Sequence, residues 1–500
     1  MPSTTLPWRR VGWTHALPET SSSPETAASR TGPESPVQPT AAHHDSRGSF
    51  GAISTAEAPT GTFTRNTLRQ LVNSTGTASE TTSAPASAAA GGPVRAGGRR
   101  MASMLGPAFV AAIAYVDPGN VATNLTAGAT FGYLLVWVVV AACLVAVLVQ
   151  FQAAKLGLAT GQSLPQLCRR RFPRWGSRLL WLQAEFVVLA TDLAEFVGAA
   201  IGLRLLFGVP VAVSVAVTAV VSLLLLELRR RGRTRPFELM SAAALLLVGA
   251  GIGYDLLVVG HQSAGGVAGG LIPRFDGTSS VVLGIGIVGA TVMPHAVYLH
   301  SALVQRPACS PATVRLQPAL VRRALRLDCG LALGFAAAVN ISMIALGVGL
   351  GAATAGVWTG DLLAAHTELA GRIGGVAALA FAVALLSSGI SSSGVGTLAG
   401  EVVMQGFLAR RVPVHLRRLV TMAPAVLALL LGVPLTTLLV VSQVGISFGV
   451  PVALFLLVFF CRDRMVMGPL VNAPLTNRVA TLAGGLVAAA GCSLPLLLSF

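Results

Sequence analysis

From residue 107 onward the chain divides into eleven apolar segments, each long enough to cross the roughly 30 Å of a bilayer's hydrocarbon as a helix. They cover 107–126, 132–153, 178–206, 209–228, 237–259, 281–304, 327–350, 374–407, 418–435, 437–461 and 479–499. The segment from 374 is too long for one straight span, so its far end near Arg410 is expected to leave the membrane. Only closed backbone hydrogen bonding is tolerated in lipid, and helices supply it within a single segment. The expected fold class is an all-α polytopic membrane protein.

Composition agrees. Of 500 residues, 53% are hydrophobic and only 11% charged, too few to clothe soluble domains of that total size. The six cysteines are scattered and form neither a disulfide framework nor a CxxC metal motif. The first 95 residues differ from the rest: rich in Ser, Thr, Pro and Ala, with no core-forming run, they read as a disordered tail ahead of a transmembrane domain at 100–500. No apolar signal-peptide core follows a basic start. Met101 and Met104 precede the first span, and translation starting there is one expectation.

The formal charge of +16 would suggest nucleic acid in a soluble protein. Its placement argues otherwise. Alternate connections hold 26 Lys and Arg, whereas those on the opposite side hold three (Arg204, Arg274 and Arg372). That alternation predicts a cytoplasmic N-terminus and an extracytoplasmic C-terminus.

Two spans carry disruptive residues at mid-membrane. The first reads Ala114-Tyr-Val-Asp117-Pro-Gly-Asn120. Pro118 removes a backbone donor and Gly119 adds freedom, so a helix should break there. A buried Asp117 costs about 2.5–3.5 kcal/mol on insertion scales unless paired or liganded. The sixth reads Gly289-Ala-Thr-Val-Met293-Pro-His295, where Pro294 frees a carbonyl near Ala290. The two spans correspond if spans 1–5 and 6–10 are repeats, and paired interruptions point to a transporter's midplane site. A carboxylate, an amide, freed carbonyls and a thioether suit a borderline divalent transition metal better than Mg2+ or Ca2+. The alternative is a proline kink with a structural acid.

His295 and His300 do not form a zinc pair, since five residues turn them about 140° apart, and HExxH is absent from the chain. His295 fits proton handling or packing beside a cavity. In span three, Asp192 lies about 20° from Glu185 around the helix and Glu195 about 60° from Asp192, so all three share a face. They read as a proton relay or as structural ion pairs, with Arg417 or Arg418 as partner.

Together these residues resemble the Nramp (natural resistance-associated macrophage protein) family of proton-coupled divalent metal transporters. The similarity rests on Asp117-Pro-Gly-Asn120 with Val-Ala-Thr-Asn124, on Met293-Pro-His295 with Tyr298-Leu-His300, on Ala154-Lys-Leu-Gly-Leu-Ala-Thr-Gly161, on Thr191-Asp-Leu-Ala-Glu195, on Gly396-Thr-Leu-Ala-Gly400 and on Ser442-Gln443-Val444. It covers roughly residues 100–500. The resemblance implies a LeuT-like inverted 5+5 repeat (about 107–259 and 281–461) with discontinuous helices 1 and 6 and an extra helix at about 479–499. It implies Asp117, Asn120 and Met293 as metal ligands, with the Ala114 and Ala290 carbonyls and Gln443 joining as access alternates. Glu185, Asp192, Glu195, His295, Arg417 and Arg418 match its proton and gating network. Cys143, Ile390 and Gly449 depart from common family residues, which places the expected differences in hydration around the ion rather than in its ligands.

The expected function is import of Mn2+, with Fe2+ as a second candidate, by proton cotransport. The expected site is the inner membrane of a bacterium. No enzyme activity or cofactor is expected, the metal being the transported substrate. The expected partners are divalent ions, protons and lipid, with no nucleic acid, and the chain is expected to be a monomer. A metal-sensing receptor and a sodium-coupled organic-solute symporter are the competing readings. An intramembrane hydrolase using Asp117 with Asp192 is disfavoured, because nothing in the sequence fixes those carboxylates together.

Overall fold

The computed structural model describes residues 105–230, 234–260, 262–305, 316–353, 360–410 and 412–498, so the tail at 1–95 lies outside the described residues. Those described are helical, with no strand among them.

The first expected span is two helices, α1 (Pro107–Ala114) and α2 (Pro118–Phe131). There follow α3 (Val136–Thr160), the short α4 (Leu164–Arg171), α5 (Arg174–Phe207), α6 (Val211–Arg230), α7 (Thr234–Val259) and a short α8 (Ala264–Gly269). The sixth span is also two helices, α9 (Gly277–Val292) and α10 (Pro294–Leu303). Beyond it lie α11 (Pro318–Ala353), α12 (Leu362–Arg372), α13 (Gly375–Leu408) and α14 (Val414–Leu430). The tenth span divides into α15 (Leu435–Ser447) and α16 (Val450–Cys461), and the chain closes with α17 (Arg464–Met467) and α18 (Pro474–Leu498).

Among the described residues, seven helical stretches are long and apolar enough to cross a membrane. Four of the eleven expected spans fall outside that count for identifiable reasons. The first is cut at Asp117 into pieces of 8 and 14 residues. The remaining three correspond to α6, α14 and α18, which are helices but do not meet the same length and composition test over their described residues. The 374 segment is one 34-residue helix that ends at Ala409 in a left-handed conformation.

Packing is inside-out relative to a soluble protein. Leu179, Phe186, Leu246, Leu257, Leu331 and Leu482 face outward, while Asp117, Asn120, Glu195 and His295 are fully buried. Lipid tolerates the first group, and the second is sheltered from it. The most extensive helix pairing joins α5 to α13. It depends on small residues: a Cβ at Gly202 would lie 2.6 Å from Leu386 N, and one at Gly389 would lie 2.6 Å from Ala199 N. Glycine lets the two backbones approach this closely, which is how helices gain contact where no hydrophobic force drives them together.

Candidate metal site and its charged network

Proline explains both breaks. The carbonyl of Ala114 would be bonded by the N–H four residues on, but that residue is Pro118; Ala290 stands in the same relation to Pro294. At the first break the loosened carbonyls find side chains. Asn340 Nδ2 donates to Tyr115 O at 2.7 Å, and Ser388 Oγ donates to Val116 O at 2.6 Å. Asn124 Nδ2 in turn donates to Asn340 Oδ1 at 2.7 Å.

Asp117 restarts the helix. Its Oδ1 accepts from Asn120 N and from Asn120 Nδ2, both at 2.8 Å, so it is the N-cap of α2. A carboxylate also complements the positive end of that helix. One oxygen therefore holds the backbone. The other, Asp117 Oδ2, is buried and has no hydrogen-bond partner among the described residues, and the same holds for Asn120 Oδ1. Asn120 Nδ2 also donates to Ala290 O at 2.8 Å, which ties the first break to the second.

Met293 joins α9 to α10 with φ 30° and ψ 90°, buried completely. A non-glycine residue there costs about 1–3 kcal/mol. Glycine would relieve the strain and forfeit the thioether.

Gln443 on α15 lies between the breaks. A Cβ at Gly119 would fall 1.8 Å from Gln443 Nε2, and one at Gly289 would fall 2.0 Å from Gln443 O. Glycine at both positions is thus what admits α15. Gln443 Oε1 is a third buried oxygen without a donor among the described residues. No group of three or more His, Cys, Asp or Glu able to hold a metal occurs among the described residues. The candidate donors are instead one carboxylate, amide oxygens, carbonyls and a sulfur, a set that suits borderline divalent ions.

The charged residues of α5 pair with the start of α14. Arg418 Nη1 meets Asp192 Oδ1 at 2.9 Å, and Arg418 also donates to Ser393 Oγ. Arg417 Nη2 meets Glu185 Oε1 at 3.1 Å. Glu195 differs: it is fully buried, and neither carboxyl oxygen has a hydrogen-bond partner among the described residues. Gly396 on α13 makes room for it, since a Cβ there would lie 2.4 Å from Glu195 Oε2. On α5 itself, Gly198 lies against Pro118, where a Cβ would come within 2.0 Å of the proline Cβ. The carboxylate helix therefore passes directly beside the first break.

His295 is one residue beyond Pro294. Thr191 Oγ1 gives its proton to Val187 O at 2.9 Å, so it accepts from His295 Nδ1 at 3.1 Å. That leaves His295 Nε2 as an acceptor with no partner among the described residues. His300 is elsewhere: its Nδ1 meets Gln150 Oε1 at 2.8 Å, and Gln150 Nε2 donates to Tyr115 OH at 2.7 Å.

Sequence reasoning missed Asn340, Ser388, Gln150 and Asp328. Asp328 caps α1, accepting from Gly106 N at 2.9 Å and Ala108 N at 3.0 Å. A lone Asn at 340 within an apolar span was a usable signal. Ser388 sits among other serines and gave none.

Fold and site define a polytopic helical membrane protein with a polar centre buried between two interrupted helices. The model of the natural resistance-associated macrophage protein-like (Nramp) family matches residues 108–497, and the chain belongs to that family. It is 45% identical over 393 residues to the divalent metal cation transporter MntH of Deinococcus radiodurans, covering 78% of this chain and 88% of the relative. Among solved structures it resembles the Eremococcus coleocola manganese transporter bound to an aromatic bis-isothiourea compound, at 29% identity and TM-score 0.69, over 80% of this chain and 87% of that one. The fold extends to the nucleobase-cation-symport-1 transporter Mhp1, at 17% identity and TM-score 0.54, over 79% of this chain and 91% of that one. These relatives are transporters rather than enzymes.

Proposed function

We propose that the chain is a proton-coupled secondary transporter that imports Mn2+, with Fe2+ as a second substrate, by alternating access. The observation that carries this reading is the division of labour within Asp117. Oδ1 caps α2, while Oδ2 and Asn120 Oδ1 are buried without a donor among the described residues. Asp117, Asn120 and Met293 supply the ligands, and the carbonyls of Ala114 and Ala290 and the side chain of Gln443 exchange as access changes. The Asn120–Ala290 bond belongs to the metal-free arrangement and opens when the ion takes the Ala290 oxygen.

Asp117 binds metal only when ionised, so metal entry and proton release are linked there. Glu195 on α5, whose carboxyl oxygens have no hydrogen-bond partner among the described residues, and His295 on α10, with a bare Nε2, form the next acceptors, and the Asp192–Arg418 and Glu185–Arg417 pairs act as a gate. A membrane potential negative inside contributes about 2.3 kcal/mol per charge per 100 mV toward import. The proposed architecture is an inverted 5+5 repeat of eleven spans. It sits as a monomer in the inner membrane of a bacterium, with the N-terminus cytoplasmic. No resident cofactor is required.

Coupling is tested in proteoliposomes that trap a pH-sensitive dye. Adding Mn2+ outside should acidify the lumen, and the acidification should vanish without Mn2+. Mn2+ entry with no change of lumenal pH overturns proton coupling. Binding without accumulation would favour a metal-sensing receptor.

A further inference from the structure

Helices α16 and α18 leave a groove of about 480 Å3 whose lining includes none of the candidate metal ligands. That is within the range of roughly 300–1,000 Å3 typical of ligand sites. Leu454, Phe455, Phe459, Gly484, Gly485 and Ala488 are among its lining. Gly484 brings the helices together, since a Cβ there would touch Leu454 Cβ at 3.4 Å. Gly485, one residue on, faces open space with nothing within 4 Å of a Cβ.

Arg462 lines one end of the groove, and Arg171 reaches the same aromatic ring from outside it. The guanidinium carbons of Arg171, at the end of α4, and of Arg462, just after α16, each lie 5.7 Å from the centroid of the Phe459 ring. That ring is itself held by Phe172 at 5.6 Å and Phe460 at 5.1 Å. Neither guanidinium has a carboxylate partner among the described residues. The nearest acid in sequence, Asp463, accepts from Met465 N at 2.8 Å to cap α17. Both arginines are exposed. The segment between α16 and α18 is tied down: Lys155 and Gln152 of α3 both bond Asn472, whose N–H donates to Cys461 O at 3.0 Å.

The dimensions match one leaflet. From Pro451 to Arg462 is about 16 Å of helix rise, about half of the roughly 30 Å hydrocarbon core. An apolar channel of that length ending in two unpaired cations at the basic end of the span is complementary to an acyl chain with an anionic headgroup. We infer that this groove binds one anionic glycerophospholipid, with its phosphate drawn to Arg462 and Arg171 at the Phe459 end and an acyl chain over Gly485. Basic pockets between membrane helices recognise such headgroups by charge, at roughly fivefold in affinity per guanidinium.

The test is native mass spectrometry of the full chain, delipidated in neutral detergent and titrated with phosphatidylglycerol, phosphatidylcholine or inorganic phosphate. One phosphatidylglycerol should be retained per chain, while phosphatidylcholine and phosphate should not. Arg171→Gln with Arg462→Gln should weaken retention roughly 25-fold, and Gly485→Phe should block it with both arginines intact. Circular dichroism and gel filtration check that each variant is folded. Equal retention of phosphatidylcholine, unchanged retention in both variants, or a second copy of the chain in place of lipid would overturn the inference. The readout is binding, so it stands or falls separately from metal transport.

Discussion

The side-chain amide of Asn120 lies 2.8 Å from the carbonyl oxygen of Ala290, and the two residues are 170 positions apart in the chain. A hydrogen bond thus connects the breaks at Pro118 and Pro294. It joins a side chain made available by one break to a carbonyl made available by the other. An ion that took the Ala290 oxygen, as proposed above, would compete with this bond for it.

The glycines beside the breaks give a steric prediction. Gly119→Ala should displace Gln443 and reduce Mn2+ uptake at least tenfold, because the added methyl would come within 1.8 Å of the Gln443 amide. Gly485→Ala, with nothing within 4 Å, should leave Mn2+ uptake within twofold of wild type. Radiotracer uptake by the two variants checks the contrast. Similar loss in both would mean that Gln443 has no special place at the site.

The Asp192–Arg418 pair is fully buried at 2.9 Å. Removing one partner leaves an uncompensated charge and costs about 3–5 kcal/mol. Arg418→Gln should lower the unfolding temperature in detergent, and adding Asp192→Asn should restore much of the loss. No rescue by the second substitution would show that the pair contributes little and that Arg418 acts mainly through Ser393.

Met293 should act on selectivity more than on transport itself. Sulfur favours borderline transition ions and gives nothing to hard ones. Met293→Ala should still move Mn2+ but admit competition by Ca2+ or Mg2+ that wild type resists. Competition uptake assays report this directly. Unchanged discrimination would remove Met293 from the ligand set.

What could be read from the sequence was local chemistry. Pro118 and Pro294 declare the breaks because a missing N–H is decided by one residue. The common face of Glu185, Asp192 and Glu195 follows from helical angle alone, and Arg417 or Arg418 at the head of span nine could be named as a partner. The sequence could not show that Glu195 lacks the ion pair its two neighbours have, because that depends on where α14 ends up. Nor could it show Gln443 wedged between Gly119 and Gly289, a contact among three separate spans. The division of the tenth span at Phe448 and Gly449 had a signal in Pro451, but the unbroken apolar run around it masked the interruption. Asp328 capping α1 carries no local mark, since an acid beside Arg326 looks like ordinary interfacial pairing.

In the proposed mechanism the carboxylate of Asp117 holds the transported metal. Asp117→Asn isolates that role, because the amide oxygen can still accept the Asn120 N–H and cap α2 while the charge is lost. Mn2+ uptake into proteoliposomes with the outside acidic should be abolished in this variant, with an unfolding temperature near that of wild type. Uptake close to wild type in a folded Asp117→Asn protein would contradict the account, since the ion would then be carried by something other than the broken helix.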